Sequence, residues 1–228
     1  MRQDRTGAAA TIPAAVDQPV GSILNLGTLG GWWTAPSDTA RPILRNAGSV
    51  WWLEGAVNRI IQNLTADLLT DVAGWTMFQA VRLDVGGATH RIQRVDGASS
   101  IPRADVIITS ANQYRANVRR LDADTQRNAI STALTVGANV TLITRMDYGT
   151  VNLQNFVNGV LNGSGSGGNL TAGNSEATGG AHFSMAAAAP GPINGLQGRM
   201  YAWGLTETAL SDTDIAALHT LLNTRMGL

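Results

Sequence analysis

The carboxylates that could perform hydrolysis are few and widely separated in this sequence. A glycoside hydrolase needs two carboxyl groups facing each other across the scissile bond, one of them an acid with a raised pKa. The chain has three glutamates, Glu54, Glu176 and Glu207, and each is far from the others in sequence. No predicted strand brings two of them together. The sequence therefore disfavours glycoside hydrolysis.

The histidines supply the parts of a hydrolytic triad without its usual arrangement. His182 lies near Ser184, and either Asp105 or Asp147 could orient its imidazole. A nucleophile elbow of the form G-x-S-x-G needs a strand-to-helix turn, whereas Gly163–Gly167 is predicted to be a loop. The sequence therefore predicts a protein without enzymatic activity. We interpret the histidines as isolated or structurally satisfied residues: His90, His182 and His219.

Oxygen ligands for a hard cation are grouped at one point of the chain. Calcium takes about six to eight oxygen ligands, several of them carboxylates. Asp122 and Asp124 lie two residues apart, and Asp147 would have to join them through the fold. A solvated turn is the favoured interpretation, so we predict no metal site and keep these three aspartates as weak candidates. Gly-rich segments lack the strand-to-helix context of a phosphate loop, so no cofactor is predicted.

The tryptophans are the side chains best suited to contact a ligand, because an exposed indole offers a flat apolar face to a sugar or a protein. Trp51 and Trp52 fall in a predicted strand, so one should fill the core and the other should face outward. Trp32 and Trp33 follow two glycines and are predicted to lie in a loop. The alternative is that both pairs pack beneath the N-terminal segment. The candidate glycan- or partner-binding residues are Trp32, Trp33, Trp51, Trp52, Asn162 and Asn169.

Composition makes several partners improbable. The 16 basic residues are all arginine and balance 16 acidic residues, and 14% of the chain is charged. A neutral chain lacks the basic surface by which proteins bind nucleic acid or an anionic membrane. The absence of cysteine excludes disulfides and thiolate metal sites. We expect neither a signal peptide nor a membrane span, since no apolar run approaches about 20 residues.

An alternating apolar pattern from residue 49 to 205 predicts an all-β domain. Ser49–Glu54 and Asn58–Gln62 are predicted to be strands on either side of a Gly55-Ala56 turn. Turn signals every 8–12 residues or so indicate a sandwich or a barrel. The other predicted strands are Trp75–Leu83, Ala88–Arg94, Ala104–Thr109, Gln113–Arg119, Ala129–Leu134, Asn139–Met146, Val151–Val157, His182–Ala187 and Leu196–Gly204.

Glycine-rich turns punctuate the second half of the chain. Asn158-Gly159 predicts a two-residue hairpin turn, because both residues tolerate a positive φ. Asn162–Gly168 is predicted to be a flexible loop.

One helix is predicted, over residues 211–226 at the C-terminus. Ser211 is a favourable N-cap, and acidic residues follow it in the first turn. The apolar stripe that should pack on the sandwich consists of Ile215, Leu218, Leu221 and Leu222. We divide the chain into a loop-rich N-terminal arm, 1–45, and a sandwich with its helix, 46–228, within one domain.

Two stretches resemble the concanavalin A-like and laminin G-like jelly-roll domains. Gly195–Leu205 (GLQGRMYAWGL), followed by Thr208–Ile215 (TALSDTDI), is similar to the closing strand and helix of that family. Leu153–Val160 is similar to its late hairpin. The resemblance implies a concanavalin A-like jelly-roll sandwich with one short C-terminal helix. This fold supports many activities, so function has to be argued from a site.

The N-terminal half resembles jelly-roll proteins of tailed-phage and prophage structural modules. The resemblance is carried by Pro19–Leu26 (PVGSILNL) and Thr34–Arg45 (TAPSDTARPILR). Asn25 stands where an aspartate is common, and Gly30–Trp33 stands where G-N-H-x is common. The family's D-G-V-D-D is Glu54–Asn58 in this chain, which removes carboxylates that could bind calcium.

This resemblance implies a non-enzymatic virion structural protein, assembled in the bacterial cytoplasm. It would be a capsid decoration or spike, or part of a tail fibre or baseplate, with other virion proteins and host-surface glycans as partners. The alternative is a lectin-like carbohydrate-binding module.

The arm predicts self-association. Its apolar residues would otherwise be exposed, and an extended arm cannot pair its own backbone groups. We therefore expect residues 1–45 to be buried largely by contacts between copies or against a larger assembly, in a closed symmetric oligomer. A trimer, a pentamer and a hexamer all stay open, with the trimer as the first choice. The residues concerned are Ile12, Val16, Val20, Ile23 and Leu24.

Overall fold

The computed structural model describes residues 13–27, 31–63, 68–96, 102–177, 182–185 and 194–228, together with Met1, Gln3 and Arg5. Within these residues, antiparallel strands form two sheets that face each other, and one helix follows the last strand. The predicted all-β jelly-roll sandwich with a C-terminal helix is confirmed. The strands are β1 Ser22–Leu24, β2 Trp32–Thr34, β3 Ile43–Ala47, β4 Val50–Glu54, β5 Ile61–Asn63, β6 Gly74–Leu83, β7 His90–Asp96, β8 Pro102–Ile108, β9 Gln113–Val118, β10 Arg127–Ala133, β11 Asn139–Asp147, β12 Asn152–Val157, β13 Val160–Ser164, β14 His182–Met185 and β15 Gly198–Thr206, and the helix is α1 Asp212–Met226.

The strand order separates neighbours in sequence. The eight-stranded sheet runs β1-β2-β5-β14-β7-β8-β9-β10, and the seven-stranded sheet runs β13-β12-β11-β6-β15-β4-β3. The predicted hairpin between β4 and β5 is therefore wrong, because the two strands belong to different sheets. The N–H of Gly55 donates to the carbonyl of Gly198, at 2.8 Å. This contact with a residue distant in sequence directs the chain out of β4 and toward the other sheet.

The central strands are buried on both faces. In β6, Trp75, Met77 and Val81 point into the core between the sheets, whereas Ala80 points to the opposite face. The indole Nε1 of Trp75 donates to Tyr148 Oη at 3.1 Å, so its one polar atom is paired. This double burial explains why the strand is the least ambiguous one in the sequence.

A polar network crosses the core between the sheets. Tyr114 Oη lies 2.6 Å from Thr144 Oγ1 and 3.3 Å from Gln79 Oε1. Thr144 Oγ1 donates to Asn155 Oδ1 at 2.7 Å, and Gln79 Nε2 donates to Gln93 Oε1. All five side chains are buried. Each hydroxyl and amide in the network has a partner, which is the condition for burying polar groups without a large cost.

The chain closes both lateral edges of the sandwich. On one side, Val20 N donates to Pro42 O at 2.8 Å and Leu44 N donates to Gln18 O at 3.0 Å, before the chain enters the other sheet as β1. On the opposite side, Asn128 and Ser166 exchange backbone hydrogen bonds of 3.0 and 2.8 Å. Closed edges leave few backbone groups for strand pairing with another molecule.

This arrangement corrects part of the expectation for the N-terminal arm. Val20 is fully buried within its own chain, because the arm crosses from one sheet to the other and pairs with β3. The argument that Val20 needs a neighbouring copy is therefore wrong. Trp32 and Trp33 lie in β2, not in a loop. Ile12 lies outside the described residues, and oligomer formation stays a prediction.

Helix α1 covers the outer face of the seven-stranded sheet. Ser211 Oγ accepts the N–H of Asp214 at 3.2 Å and the Asp214 carboxylate accepts the N–H of Ser211 at 3.4 Å, so the predicted N-cap is confirmed as a capping box. Gly227 ends the helix with φ 76°. The apolar cluster under the helix consists of Ala80, Ile143, Phe156, Ile215, Leu222 and Met226.

The predicted stripe of the helix is partly wrong. Leu222 is buried as expected, but Leu221 is 53% exposed and Leu218 is half-buried. At about 3.6 residues per turn, Ile215, Leu222 and Met226 share one line, while Leu221 falls to the side of it. No helix in the described part of the chain is long and apolar enough to cross a membrane.

The turn after β12 has the predicted conformation. Asn158 and Gly159 have φ of 51° and 76°, and they join β12 to β13. His219 of the helix packs so closely on Gly159 that a Cβ there would lie 2.7 Å from its ring. The predicted loop 162–168 is partly wrong, because its first three residues belong to β13.

Candidate functional site

A cleft of about 400 Å³ opens beside the end of β15. We call it the tryptophan cleft. Its floor is the last part of β15, and its walls come from the β1–β2 region, from Phe78 on β6 and from the end of α1. Its aromatic, amide and charged lining residues are Asn25, Trp33, Asn63, Phe78, Trp203 and Arg225.

The cleft exists because two strands separate. β4 pairs with β15 only at Arg199 and Met200, and the register of β15 against β6 shifts between Met200 and Ala202. Beyond that bulge, β15 has β6 on one side and no strand partner from β4 on the other. Gly204 lies on this stretch, and it leaves the space that the Phe78 ring occupies. Strand divergence therefore creates the opening.

Two tryptophans meet at the base of the cleft. Trp33 and Trp203 have ring centroids 6.0 Å apart, with the rings perpendicular. Trp33 is 5% exposed and belongs to the core, whereas Trp203 is half-buried. An edge-to-face pair of this kind is a favourable aromatic geometry. Trp33 therefore fixes the orientation of Trp203, and Trp203 carries the accessible aromatic surface.

Polar groups line the cleft at three points. Asn25 Oδ1 accepts the N–H of Gly27 at 3.1 Å, which shapes the loop after β1. Asn63, at the end of β5, is buried. Arg225 is exposed in the last turn of α1, and among the described residues that line the cleft it is the only charged one. The cleft therefore combines aromatic surface with amides and one cation.

The lip of the cleft is apolar. Leu24 and Leu26 line it on the β1 side, and the Leu26 side chain is 91% exposed. Exposed leucines beside a concave surface are typical of a binding site.

A second depression, of about 350 Å³, contains Trp52. The Arg199 guanidinium lies 4.6 Å from the centre of the Trp52 ring, and the Tyr201 ring lies 6.0 Å away. Hydrogen bonds from Arg45 and then Arg59 hold the pKa of Glu54 below its usual value, although partial burial opposes them. The accessible groups here are already engaged with one another.

The expectation for Trp51 and Trp52 is wrong in one respect. The two side chains do point to opposite sides of β4, but neither fills the core. Trp51 is 46% exposed, and Trp52 is half-buried beneath Arg199. Leu53 supplies the core contact of β4 instead. Trp32 is half-buried and does not line the tryptophan cleft.

The two predicted asparagines tie loops together. Asn162 Oδ1 accepts the N–H and hydroxyl of Thr132, at 2.7 and 3.0 Å. Asn169 Oδ1 accepts the same two groups of Thr125, at 2.7 and 3.1 Å. Both oxygens are used within the protein, so Trp33 is the one predicted site residue that the structure places in the cleft.

The aspartates considered for metal binding have separate local partners. Asp124 Oδ2 accepts the N–H of Leu121 at 2.9 Å, and Asp122 lies 3.6 Å from Arg103 Nε. Asp147 accepts the hydroxyl of Thr150 at 2.7 Å, and this bond holds the pKa of Asp147 below its usual value. Among the described residues, no group of three or more histidines, aspartates and glutamates is placed to hold a metal ion.

The residues considered for hydrolysis are also dispersed. Glu207 Oε1 accepts the N–H of Leu69 at 2.6 Å, and the two ring nitrogens of His90 lie near the carbonyls of Gly195 and Val85. His219 Nδ1 lies 2.8 Å from Thr141 Oγ1, on the helix as predicted. In the backbone register, His182 pairs with Asp96, whereas Asp105 lies on the strand beyond.

No family model and no curated protein matches the chain. Solved structures do match over most of its length. CBM40 of the Ruminococcus gnavus IT-sialidase, bound to α2,3-sialyllactose, has a TM-score of 0.56 and 15% identity, covering 75% of this chain and 100% of that one. Trypanosoma rangeli sialidase has a TM-score of 0.57 and 11% identity, covering 82% of this chain and 30% of that one.

A third neighbour is botulinum neurotoxin type C, whose cell entry depends on interaction with two ganglioside molecules. It has a TM-score of 0.54 and 12% identity, covering 90% of this chain and 45% of that one. The chain therefore spans less than half of the sialidase and toxin chains. At these identities the likeness shows a shared fold, a jelly-roll sandwich found in carbohydrate-binding domains.

Several cleft residues carry no signal in the sequence that marks them as part of a site. Trp203 and Leu205 lie two residues apart in a predicted strand and therefore share one face, which indicates only a core position. Asn25 follows β1 and Asn63 ends β5, about forty residues later, and these two strands are not neighbours in the sheet. Arg225 at a helix C-terminus has an ordinary explanation in the helix dipole. Only the three-dimensional meeting of these residues marks them.

Proposed function

We propose that the protein is a lectin-like carbohydrate-binding module and that the tryptophan cleft is its ligand site. The observation that carries this proposal is the combination found in one concave surface, namely the Trp33–Trp203 pair, two asparagines and one exposed arginine. A volume of about 400 Å³ fits one or two sugar rings.

Each group has a role that sugar chemistry can use. The C–H face of a pyranose packs on the Trp203 ring, since an aromatic surface binds apolar faces and leaves polar edges in water. Asn25 brings an amide group to the wall of the cleft, where it can contact sugar hydroxyls, whereas Asn63 is buried and shapes the cleft from behind. Arg225 favours a ligand that carries a carboxylate, because the guanidinium pairs with carboxylates through two parallel hydrogen bonds.

An acidic saccharide is therefore the proposed ligand class. None of the described residues that line the cleft carries a carboxylate side chain, which supports an anionic ligand. The structural neighbours include a module bound to sialyllactose and a toxin that interacts with gangliosides. These neighbours support the proposal through a common fold, and the cleft residues have to be tested directly.

The test is a glycan array followed by calorimetric titration of the best acidic ligand. Trp203→Leu keeps an apolar side chain against the core but removes the aromatic face, and we expect it to weaken binding about tenfold, equivalent to about 1.4 kcal/mol. The matched control is Trp51→Leu, which changes an exposed tryptophan outside the cleft and should bind like the wild type. Equal binding by folded Trp203→Leu would contradict the proposal.

Arg225→Gln tests the ligand class separately. This variant should lose affinity for acidic saccharides and keep its affinity for the neutral counterparts of the same glycans. If it loses both equally, Arg225 supports the helix end and does not select an anion.

The sequence resemblance carries a second proposal, that the protein belongs to a tailed-phage virion as a capsid or tail component. The closed edges of the sandwich support a structural role, because contacts between copies would then use loops and leave the sheets intact. Glycan binding is compatible with this location. Mass spectrometry of purified particles tests the proposal, and absence of the protein from intact virions would contradict it.

A further inference from the structure

The outer face of the eight-stranded sheet is polar where strands β7, β8 and β9 run side by side. Alternation places core residues such as Ala104, Val106 and Ala116 inward, so the intervening side chains point outward. We call this outward surface the polar face. Its central members are Arg91, Asp105, Ile107, Arg115 and Asn117.

Asp105 and Asn117 form the centre of the polar face. They are Cα partners across β8 and β9, and they are 5% and 3% exposed. Arg91 Nη1 donates to Asp105 Oδ2 at 2.7 Å, and Asn117 Nδ2 donates to the same oxygen at 3.5 Å. The other oxygen of each residue, Asp105 Oδ1 and Asn117 Oδ1, is buried without a hydrogen-bond partner.

Unpaired donors lie in the next row of the sheet. Arg91 and Arg115 stand on either side of Ile107 in the register, and the Nε–H of each guanidinium is buried without a partner. Leaving a buried polar atom unpaired costs about 1–3 kcal/mol. Two acceptor oxygens and two N–H donors on neighbouring register positions are thus left without partners. A chemical group that both donates and accepts hydrogen bonds could satisfy them.

We propose that the polar face holds a second binding site, for a neutral polyhydroxylated ligand such as a neutral saccharide. A hydroxyl can donate to Asp105 Oδ1 or Asn117 Oδ1 while it accepts from the Nε–H of Arg91 or Arg115. Two adjacent hydroxyls of one sugar would satisfy all four atoms. The site is separate from the tryptophan cleft and does not depend on it.

The charges explain the preference for a neutral ligand. An anion would approach the unpaired oxygen of Asp105, and a metal cation would approach the guanidinium of Arg91. Desolvation by burial raises the pKa of Asp105, although Arg91 and Arg94 oppose this shift. An added charge of either sign would therefore meet a like charge at close range.

Access requires movement of side chains only. The Arg91 side chain is 26% exposed, Arg115 is half-buried and the neighbouring Ile130 is exposed. Arginine has long flexible methylene stems, so both guanidinium groups can turn outward while the strands keep their hydrogen bonds.

The arginine Nε–H resonances provide a direct test by ¹H–¹⁵N NMR. A panel of neutral oligosaccharides is titrated into the full chain, and we expect at least one member to shift the Arg91 and Arg115 signals while the Arg225 signal stays in place. Asp105→Asn keeps the side-chain shape and should weaken that binding about tenfold. The matched control is Asp147→Asn, which alters an aspartate at the end of β11 and should leave the titration unchanged.

The outcomes separate this site from the cleft. Shifts at Arg91 and Arg115 that persist in Trp203→Leu support a second site. If no oligosaccharide moves these signals and both Nε–H groups exchange slowly with solvent, internal water satisfies the polar atoms and the proposal is overturned. If the signals move only together with the Trp203 indole, the ligand sits in the cleft and the proposal is equally overturned.

Discussion

The two outer faces of the sandwich are covered in opposite ways. On the seven-stranded sheet, α1 packs Ile215, Leu222 and Met226 onto an apolar surface. On the eight-stranded sheet, arginines, aspartates and asparagines alternate with the core residues. In the described part of the chain, buried side-chain atoms of Arg91, Asp105, Arg115 and Asn117 lack a hydrogen-bond partner, and all four residues belong to that sheet.

The difference between the two outer faces indicates that one serves the stability of the fold and the other suits ligand binding. An apolar face covered by a helix gains free energy from the area it removes from water. Buried polar atoms without partners lose free energy, so a protein keeps them where another molecule or water completes them. The helix face therefore stabilises the fold, whereas the polar face and the tryptophan cleft are the surfaces that we propose bind ligands.

The largest expected effect tests the helix face. Leu222→Ala should lower the free energy of unfolding by about 2–5 kcal/mol, because the side chain is buried against the seven-stranded sheet. Leu221→Ala, one residue earlier and largely exposed, is the matched control and should change it by less than about 0.5 kcal/mol. Urea unfolding measures both. Equal losses would mean that the helix packs differently.

The network inside the core gives the next contrast. Tyr114→Phe removes the hydroxyl that lies between Thr144 and Gln79, and the buried partners it leaves should cost about 1–3 kcal/mol. Asn117→Ser on the polar face removes an oxygen that has no partner and one long hydrogen bond, of 3.5 Å to Asp105 Oδ2, so it should cost less. Thermal melting of the two variants compares a satisfied network with an unsatisfied one. A larger fall in melting temperature for Asn117→Ser than for Tyr114→Phe would contradict the difference between the satisfied core network and the unsatisfied polar face.

The capping box makes a smaller contribution. Ser211→Ala should destabilise the protein by about 1 kcal/mol, because the N–H of Asp214 loses its acceptor at the start of α1. Ser211→Asp retains a capping oxygen and should restore most of the loss. A loss that Ser211→Asp fails to recover would show that the serine acts through something other than the cap.

Two aspartates should give opposite slopes of stability with pH. Burial raises the pKa of Asp105, so the folded state binds the proton of this carboxyl more tightly than the unfolded state does. The contribution of Asp105 to the free energy of unfolding therefore falls as pH rises above about 4. The hydrogen bond from Thr150 lowers the pKa of Asp147, so its contribution falls as pH drops below about 4.

The corresponding variants measure these slopes. Asp105→Asn should reduce the change of the unfolding free energy with pH on the neutral side of about pH 4. Asp147→Asn should reduce that change on the acidic side. Urea unfolding across that range is the measurement. Slopes of the same sign would contradict the opposed environments of the two carboxyl groups.

Local signals in the sequence predicted local structure well. The capping box at Ser211, the Asn158-Gly159 turn and the strand around Trp75 each depend on a few adjacent residues, and each is present. The jelly-roll sandwich followed from the alternating pattern and from the resemblance near the C-terminus.

Features that depend on distant partners were not predictable in this way. Trp33 joins the core because β2 pairs within a sheet and its ring meets Trp203, far along the chain. The cleft opens where β4 leaves β15, and the pairing of Asp105 with Asn117 depends on strand register. Periodicity shows which residues alternate but not which strands become neighbours.

The most direct test of glycan binding in the tryptophan cleft follows the indole N–H signals during titration with an acidic oligosaccharide. The chain has six tryptophans, and each contributes one indole N–H signal that reports on its own surroundings. We predict that the signals of Trp203 and Trp33 shift with the ligand while those of Trp51, Trp52 and Trp75 stay in place. Saturable binding that moves Trp51 or Trp52 and leaves Trp203 unchanged would contradict the assignment of the cleft.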